Sequence, residues 1–534
     1  VLPGYGERHV CKGWFGTGEA RLCSLVSKDR SYKPMVKASG AQRESDGVVV
    51  PLIGVQHNAP GGKGPDFGHV EGVGKREGMA GVSRSNHPGT PSCVVAVDGE
   101  PSAVKVRELQ RRLWTVAKQQ EGRRFHALYD RIHRGDVLWE AWGRVRVNRG
   151  AAGVDRVTLA FVEQEYGVER MLAELQRSLR SGSYRPAPAR RVDIPKPVGG
   201  VRPLGIPTVR DRVAQAAAKI VLEPIFEADF EDSSFGFRPK RSALGAKETI
   251  RKAFIAGYTQ VAEADIRGFF DNLDHEVLLG QVGRRVSDRR VLKLVGLWLR
   301  AGVMTAGGLE RTVAGTPQGG VISPLLANIY LHAFDEQVRD RGLGLLVRYA
   351  DDFVIMTRTP GQAEAALAGA GDILGSMGLQ LHPGKTRVVD LREGREGFDF
   401  LGCHFRARMS GRLWERKRII RYYLHRWPSQ AAMKRLRQKV RDRTGANRKG
   451  VPIEVVIAEL TPILRGWGNY FRTGNAADKF RQIDWYVTMR LFRLQVKKRG
   501  RNLRAGVADQ WTEDWLNQRG LHRLRGTVRY PKAA

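Results

Sequence analysis

The sequence predicts an α+β fold through the middle of the chain and an α-helical, strongly basic region after it. Three observations carry this reading. From about residue 230 to about 405, short apolar runs of strand length alternate with helix-length patterns. After 415 the pattern is helical and dense in Arg and Lys to the end. The first hundred residues, rich in Gly, Ser, Pro and Arg, hold neither the 3.6 nor the 2.0 period.

The elements follow in order. Serial breakers, GlyGlyLysGlyPro at 61–65 and HisProGlyThrProSer at 87–92, make 1–103 a disordered or loosely structured leader. The chain opens with Val rather than Met, which suggests a GUG or misplaced start and puts function elsewhere. Val106, Leu109, Leu113 and Val116 recur at helical spacing, and Phe125, Leu128, Tyr129 and Ile132 continue on a second helix. A turn-rich link at 148–155 leads to helical segments up to about Arg180 and a β-rich stretch at 189–206. A strong helix is expected over 209–230, with Thr208 as its N-cap.

Composition bounds the function. A chain of 534 residues can bury three or four separate cores. Its 90 basic against 55 acidic residues leave +35, a surplus that repels itself unless a polyanion neutralises it. Nucleic acid is the expected partner, with binding that weakens steeply in salt. The 42% hydrophobic content and 11 tryptophans exclude a histone-like or ribosomal basic tail. Cys11, Cys23, Cys93 and Cys403 form no CxxC pair, so neither a disulfide framework nor structural zinc is expected. No apolar stretch approaches the roughly 20 residues of a membrane span, and no secretion signal opens the chain. A reducing cytoplasm follows.

The densest chemical signal is TyrAlaAspAsp at 349–352, set between LeuLeuVal at 345–347 and PheValIleMet at 353–356. That is the shape of a β-hairpin whose tight turn holds adjacent carboxylates. Upstream, ValAlaGluAlaAspIleArgGlyPhePheAspAsn at 261–272 reads as a strand ending in Asp265, then a turn into a helix near Asp274. Carboxylates from separate strand ends suit Mg²⁺, which takes oxygen ligands and is held by one or two carboxylates plus substrate phosphates. A pair of such ions about 4 Å apart activates a hydroxyl and stabilises a leaving pyrophosphate. Asp265 and Asp351 are the expected direct ligands of two Mg²⁺ ions, with Asp352 in support. An isolated AspAsp is ordinarily a solvated turn. Here the buried-strand flanks, where unpaired charge is costly, favour function.

Several blocks, in order and at sensible spacing, resemble the reverse transcriptases encoded by group II introns. IleProLysProValGlyGlyValArgProLeuGlyIlePro at 194–207 resembles the fingers block that grips the incoming triphosphate, with Lys196 and Arg202 in the phosphate-binding positions. SerPheGlyPheArgProLysArgSerAla at 234–243 resembles the block that contacts the template, which implies a nucleic-acid contact for Arg238. GlyThrProGlnGlyGlyValIleSerProLeuLeuAlaAsn at 315–328 resembles the lining of the nucleotide pocket, with Gln318 beside the sugar and base. LeuHisProGlyLysThr at 381–386 supplies Lys385 for phosphate, and GlyPheAspPheLeuGlyCysHisPhe at 397–405 resembles the primer-grip hairpin. Phe270 matches the aromatic that clashes with a 2′-hydroxyl and selects deoxynucleotides. Either Phe269 or its neighbour is core, and Arg267 either touches the triphosphate or caps a helix. His275 and His332 have no partners at metal-ligand spacing and are read as structural.

In the C-terminal third, Lys434, Arg435, Arg437, Lys439, Arg441 and Arg443 lie over an apolar stripe of Met433, Leu436 and Val440. An amphipathic helix with an RNA-facing basic side is expected. LeuThrProIleLeuArgGlyTrpGlyAsnTyrPheArg at 460–472 is closely similar to the maturase (X, or thumb) motif. Trp467, Tyr470 and Phe471 read as thumb core, and Arg465 and Arg472, with Lys434 and Arg435, as contacts to RNA. No cysteine follows Cys403, so the paired-cysteine endonuclease of many relatives looks absent and priming needs another source.

The resemblance implies a right-hand polymerase with an antiparallel palm sheet. Its expected divisions are 104–260 for an N-terminal extension and fingers, 261–405 for the palm and 406–490 for a helical thumb/maturase domain. A basic DNA-binding tail is expected at 491–534. The implied activity is RNA-directed DNA synthesis on an RNA template and DNA primer with dNTP. Parent intron RNA and target DNA are the implied further partners, and splicing and mobility by target-primed reverse transcription the implied roles. The implied setting is a bacterial cytoplasm, in association with nucleoid or ribonucleoprotein. Two other readings compete: a domesticated reverse transcriptase in defence or repair, and an RNA chaperone with a vestigial polymerase site. The intact Asp265, Asp351 and Asp352 argue against the chaperone, and the intact 460–472 motif favours the intron enzyme.

Overall fold

A computed structural model describes residues 102–195, 201–305, 308–310, 315, 319–500 and 506–530. The expected leader lies outside the described residues, except that helix has already begun at Ser102.

The first half is mainly helical: α1 (Ser102–Gln119), α2 (Tyr129–Ile132), α3 (Gly135–Val147), the single turn α4 (Leu159–Phe161) and α5 (Val168–Arg180). The strands β1 (Ala189–Pro195) and β2 (Val201–Ile206) follow, and then the long helix α6 (Val209–Glu227). Thr208 caps α6, its hydroxyl accepting from the Asp211 amide at 3.1 Å. This helix is buried around nearly its whole circumference, Asp211, Arg212 and Gln215 included, and is packed by α1 and α3. The second expected helix is shorter than its periodicity suggested. Phe125 instead pairs with the backbone of Arg285 and Ser287, and Asp288 Oδ2 accepts from the amides of Leu128 and Tyr129 at 3.0 and 2.9 Å. A carboxylate distant in sequence thus sets where α2 begins.

Next come α7 (Ala243–Ile255), β3 (Gln260–Asp265), α8 (His275–Arg285), α9 (Arg289–Leu299), β4 (Val303–Thr305), β5 (Gly308–Glu310) and α10 (Ser323–Asp340). The hairpin β6 (Leu345–Tyr349) and β7 (Asp352–Thr357) is followed by α11 (Pro360–Ser376) and β8 (Arg387–Asp390). A four-stranded antiparallel sheet in the order β6-β7-β3-β8 carries the acidic signals. Along β7, Phe353 and Ile355 enter one hydrophobic core, while Val354 and Met356 enter another. Side chains alternate across a strand, so a sheet buried on both faces reads as an unbroken apolar run. That is why PheValIleMet lacks polar alternation. A second sheet has the order β2-β1-β4-β5.

The hairpin β9 (Gly397–Phe400) and β10 (Cys403–Met409) is followed by α12 (Gly411–Lys417) and β11 (Tyr422–Pro428), which completes a β11-β10-β9 sheet. The strand β11 corrects the all-helical expectation after 415. Leu424 and Arg426 are buried while Tyr423 is exposed, a period of two hidden within basic and aromatic residues. The helices α13 (Gln430–Arg443), α14 (Ile453–Phe471), α15 (Ala477–Arg499) and α16 (Glu513–Gln518) finish the chain. As the stripe required, Met433, Leu436 and Val440 are the buried side of α13. Helix α15 runs through the expected boundary at 490 and the tail packs back on the same core. Leu516 and Leu524 are buried there, and Asp484 accepts from the amides of Leu524 and Arg525 at 3.0 and 2.7 Å.

Candidate active site

The strand ends bring the expected carboxylates together. Asp265, last in β3, is the direct cross-strand partner of Asp352, first in β7, and Asp351 sits in the turn just before it. That turn needs support, because Ala350 holds a left-handed φ of 59°. Arg348 supplies it from inside the sheet. Its guanidinium donates to the Ala350 carbonyl at 2.9 Å and makes two hydrogen bonds, of 2.6 and 2.5 Å, to Asp335. Both charged side chains of that pair are 0% exposed. Beneath the turn, Gly236 comes so close that a Cβ there would lie 2.3 Å from the Ala350 nitrogen. Asn328 ties the layers together, donating to the Gly236 carbonyl at 2.8 Å and accepting from Arg348 at 3.3 Å.

Lys385 reaches the acidic cluster because its loop is zippered along the end of β3. The Arg267 amide donates to the Gln380 carbonyl and the His382 amide to the Asp265 carbonyl, both at 2.8 Å. The Lys385 ammonium then lies 3.2 Å from Asp265 Oδ2. Burial pushes the Asp352 carboxyl well above the usual carboxylate range, and the neighbouring charges of Asp351 and Asp265 push it further, opposed by Lys385. A carboxyl crowded by two others in this way fits a divalent cation, which removes the repulsion. Among the described residues no three His, Cys, Asp or Glu close into a complete metal cage. An ion held here would therefore draw remaining oxygens from substrate phosphate and water, as Mg²⁺ commonly does.

The two phenylalanines divide as the sequence required. Phe269 is 2% exposed, while Phe270 packs edge-on against it at 5.1 Å and stays partly exposed. The next block packs by glycine against Phe270 and against β2. Gly315, at φ 84°, is so close that a Cβ would meet the Phe270 carbonyl at 2.6 Å, and Gly319, at φ 119°, approaches the Gly205 carbonyl equally closely. Glycine is required at both. Lys196 and Gln318 lie outside the described residues, as does the side chain of Arg202 in β2. Arg267 is exposed.

Arg238 is a correction. Rather than facing a template it is 7% exposed, bonded through Nε and Nη2 to Glu227, and donates to the Ser234 carbonyl at 2.8 Å and the Phe230 carbonyl at 3.3 Å. A guanidinium with its donors committed inside the fold cannot reach a phosphate without giving up its pairing with the half-buried Glu227 carboxylate. Lys434 and Arg435 on α13 and Arg465 on α14 are exposed; Arg472, at the C-cap of α14, is half-buried. Trp467 packs against Phe471 and Phe480, and the Tyr470 hydroxyl donates to the Leu401 carbonyl at 2.9 Å. His275 is buried beside the Gly315 carbonyl, and His332 lies edge-on to Phe230.

Sequence reasoning missed Lys247. It is 2% exposed on α7, its ammonium 4.0 Å from the centre of the Tyr470 ring and 3.8 Å from Cys403 Sγ. Burial lowers its pKa. It joins α7, β10 and α14, and nothing in a basic sequence distinguishes such a lysine from a surface one.

Comparisons with known proteins identify the family. Residues 194–405 match the family described as reverse transcriptase (RNA-dependent DNA polymerase), and residues 433–511 match the group II intron maturase-specific domain. The chain is similar to Protein YkfC of Escherichia coli, 36% identical over 337 residues that cover 56% of this chain and 87% of that protein. It is 40% identical over 218 residues to the group II intron-encoded protein LtrA of Lactococcus lactis, covering 40% of this chain and 35% of LtrA. A 91 kDa protein in the cob intron of Schizosaccharomyces pombe is 28% identical over 385 residues, 59% of this chain and 47% of that protein. The chain thus spans most of YkfC but less than half of the two intron proteins. No described helix is long and apolar enough to cross a membrane.

Proposed function

The chain belongs to the reverse transcriptase/maturase family encoded by group II introns, and from that premise we infer how its residues divide the work of copying RNA into DNA. Its class of activity is RNA-directed DNA polymerase. The observation that carries the reading is the cross-strand pairing of Asp265 with Asp352, with Asp351 in the adjoining turn and Lys385 3.2 Å from Asp265.

We propose that β6, β7, β3 and β8 form the palm of a right hand. Residues 104–260 form its extension and fingers, 406–490 its thumb and maturase domain, and 491–534 a basic tail for target DNA, continuous with the thumb through α15. Asp265 and Asp351 are the ligands for two Mg²⁺ ions, and Asp352 supports them. When bound, the ions would supply an activated primer hydroxyl and a stabilised pyrophosphate. The chain's own residues do the rest. Lys196 and Arg202 close on the triphosphate, with Arg267 and Lys385 adding positive charge beside it. Phe270 occupies the space a 2′-hydroxyl would need, and Gln318 lines the sugar and base. The maturase match over 433–511 supports binding of the parent intron RNA, help with its splicing, and intron mobility. Lys434, Arg435, Arg465 and Arg472 are its proposed contacts.

The test is extension of a DNA primer on an RNA template by the purified chain with dNTP and Mg²⁺. Extension that stops on chelation is the expected result, and no extension on any RNA template would overturn the reading.

A further inference from the structure

Tryptophan 485 is 67% exposed, more than any other large apolar side chain among the described residues. A single exposed hydrophobe means little by itself. This one, however, forms the wall of a hollow of about 490 Å³ between α13 and α15, whose other walls are Arg437, Arg481, Gln482 and Tyr486. On α15, Arg481 and Trp485 lie one helical turn apart, as do Gln482 and Tyr486, so the four make a patch two residues wide. From α13, the Arg437 guanidinium closes one side, 5.8 Å from the centre of the Tyr486 ring. Arg481, paired with Asp478, marks the outer rim.

We propose that this hollow binds a single unpaired nucleobase of a structured RNA, stacked on Trp485. This deepens the intron-RNA reading above and rests on it. The chemistry selects the ligand. A flat aromatic wall offers a stacking surface to any base, the Gln482 amide can both donate to and accept from a base edge, and the arginines suit the flanking phosphates. Charge favours RNA over a protein partner: α13 carries Lys434, Arg435, Arg437, Lys439, Arg441 and Arg443 against one acid, Asp442. An acidic peptide would answer that charge but would bring no π face to the tryptophan. In a fully paired stem the bases are stacked inside, so the site takes one only from a bulge, a loop or an end.

The test compares two labelled, blunt-ended RNA hairpins of identical stem, each closed by the same compact loop whose bases stack on one another, one fully paired and one with a single bulged adenosine, by anisotropy with the full chain. The native chain prefers the bulged hairpin. Trp485→Ala loses about tenfold in affinity for it, with an unchanged salt slope, because stacking releases no counterion. Affinity for the paired hairpin is unaffected, and Trp485→Phe recovers most of the loss. Equal affinity of the native chain for both hairpins, or equal weakening of both by Trp485→Ala, would overturn the proposal. A native chain that extends primers yet gives either of those results sinks this inference alone and leaves the polymerase reading standing.

Discussion

The Lys385 ammonium lies 3.2 Å from Asp265 Oδ2, so a loop more than a hundred residues downstream supplies a positive charge to the acidic cluster. Lys385→Ala therefore lowers thermal stability in chelator, and Mg²⁺ restores more of the melting temperature than it adds to the native chain. A charge-assisted contact of this kind is worth about tenfold or more, so kcat/KM for dNTP falls by roughly that factor. Unchanged dNTP kinetics would remove Lys385 from the site.

The buried Arg348–Asp335 pair is the mount of the acidic turn. Asp335→Ala leaves an uncompensated guanidinium in the core and costs about 3–5 kcal/mol in denaturant unfolding. Gly236→Ala acts more locally, because its Cβ would press on the Ala350 nitrogen from 2.3 Å. Primer extension falls steeply in that variant while its affinity for template–primer changes little. A fully active Gly236→Ala would show that the turn tolerates displacement.

Phe270→Ala opens the space beside the sugar while Phe269 keeps the core intact. Ribonucleotide incorporation on a fixed RNA template rises roughly tenfold relative to deoxynucleotide incorporation. An unchanged ratio would place sugar selection elsewhere.

Asp229 gives a pH signature. Burial raises its carboxyl from the ordinary 3.8 to about 6, despite the Arg285 guanidinium donating to it at 2.7 Å. A carboxyl raised in the folded state contributes stability that is full below its unfolded pKa and is lost as pH rises through about 6. The melting temperature of the native chain minus that of Asp229→Asn thus grows as pH is lowered from about 7 to about 5. A constant difference across that window would contradict the assignment.

Much of the site was legible in the sequence because its chemistry is local. A tight turn between two apolar runs places Asp351 and Asp352, and a strand end places Asp265; both read directly from residue order. The N-cap of α6 and the buried stripe of α13 were legible for the same reason. What sequence missed depends on how the elements pack. Arg238 was expected to contact nucleic acid because its block resembles one that contacts the template, yet Glu227 and a ring of carbonyls draw it inside. Lys247 and Arg348 are charged residues whose burial is decided by packing against α14 and α10. The strand β11 escaped notice because aromatic and basic side chains occupy its outward face, which obscures the alternation.

Polymerisation here requires carboxylates from two strand ends to act together on one nucleotide, and primer extension by Asp351→Asn measures that requirement most directly. The substitution keeps the side chain's size and removes its charge. Loss of RNA-templated synthesis by a factor of a thousand or more (about 4 kcal/mol in the barrier) is the predicted result, with template–primer affinity near the native value. Synthesis at close to the native rate would contradict it.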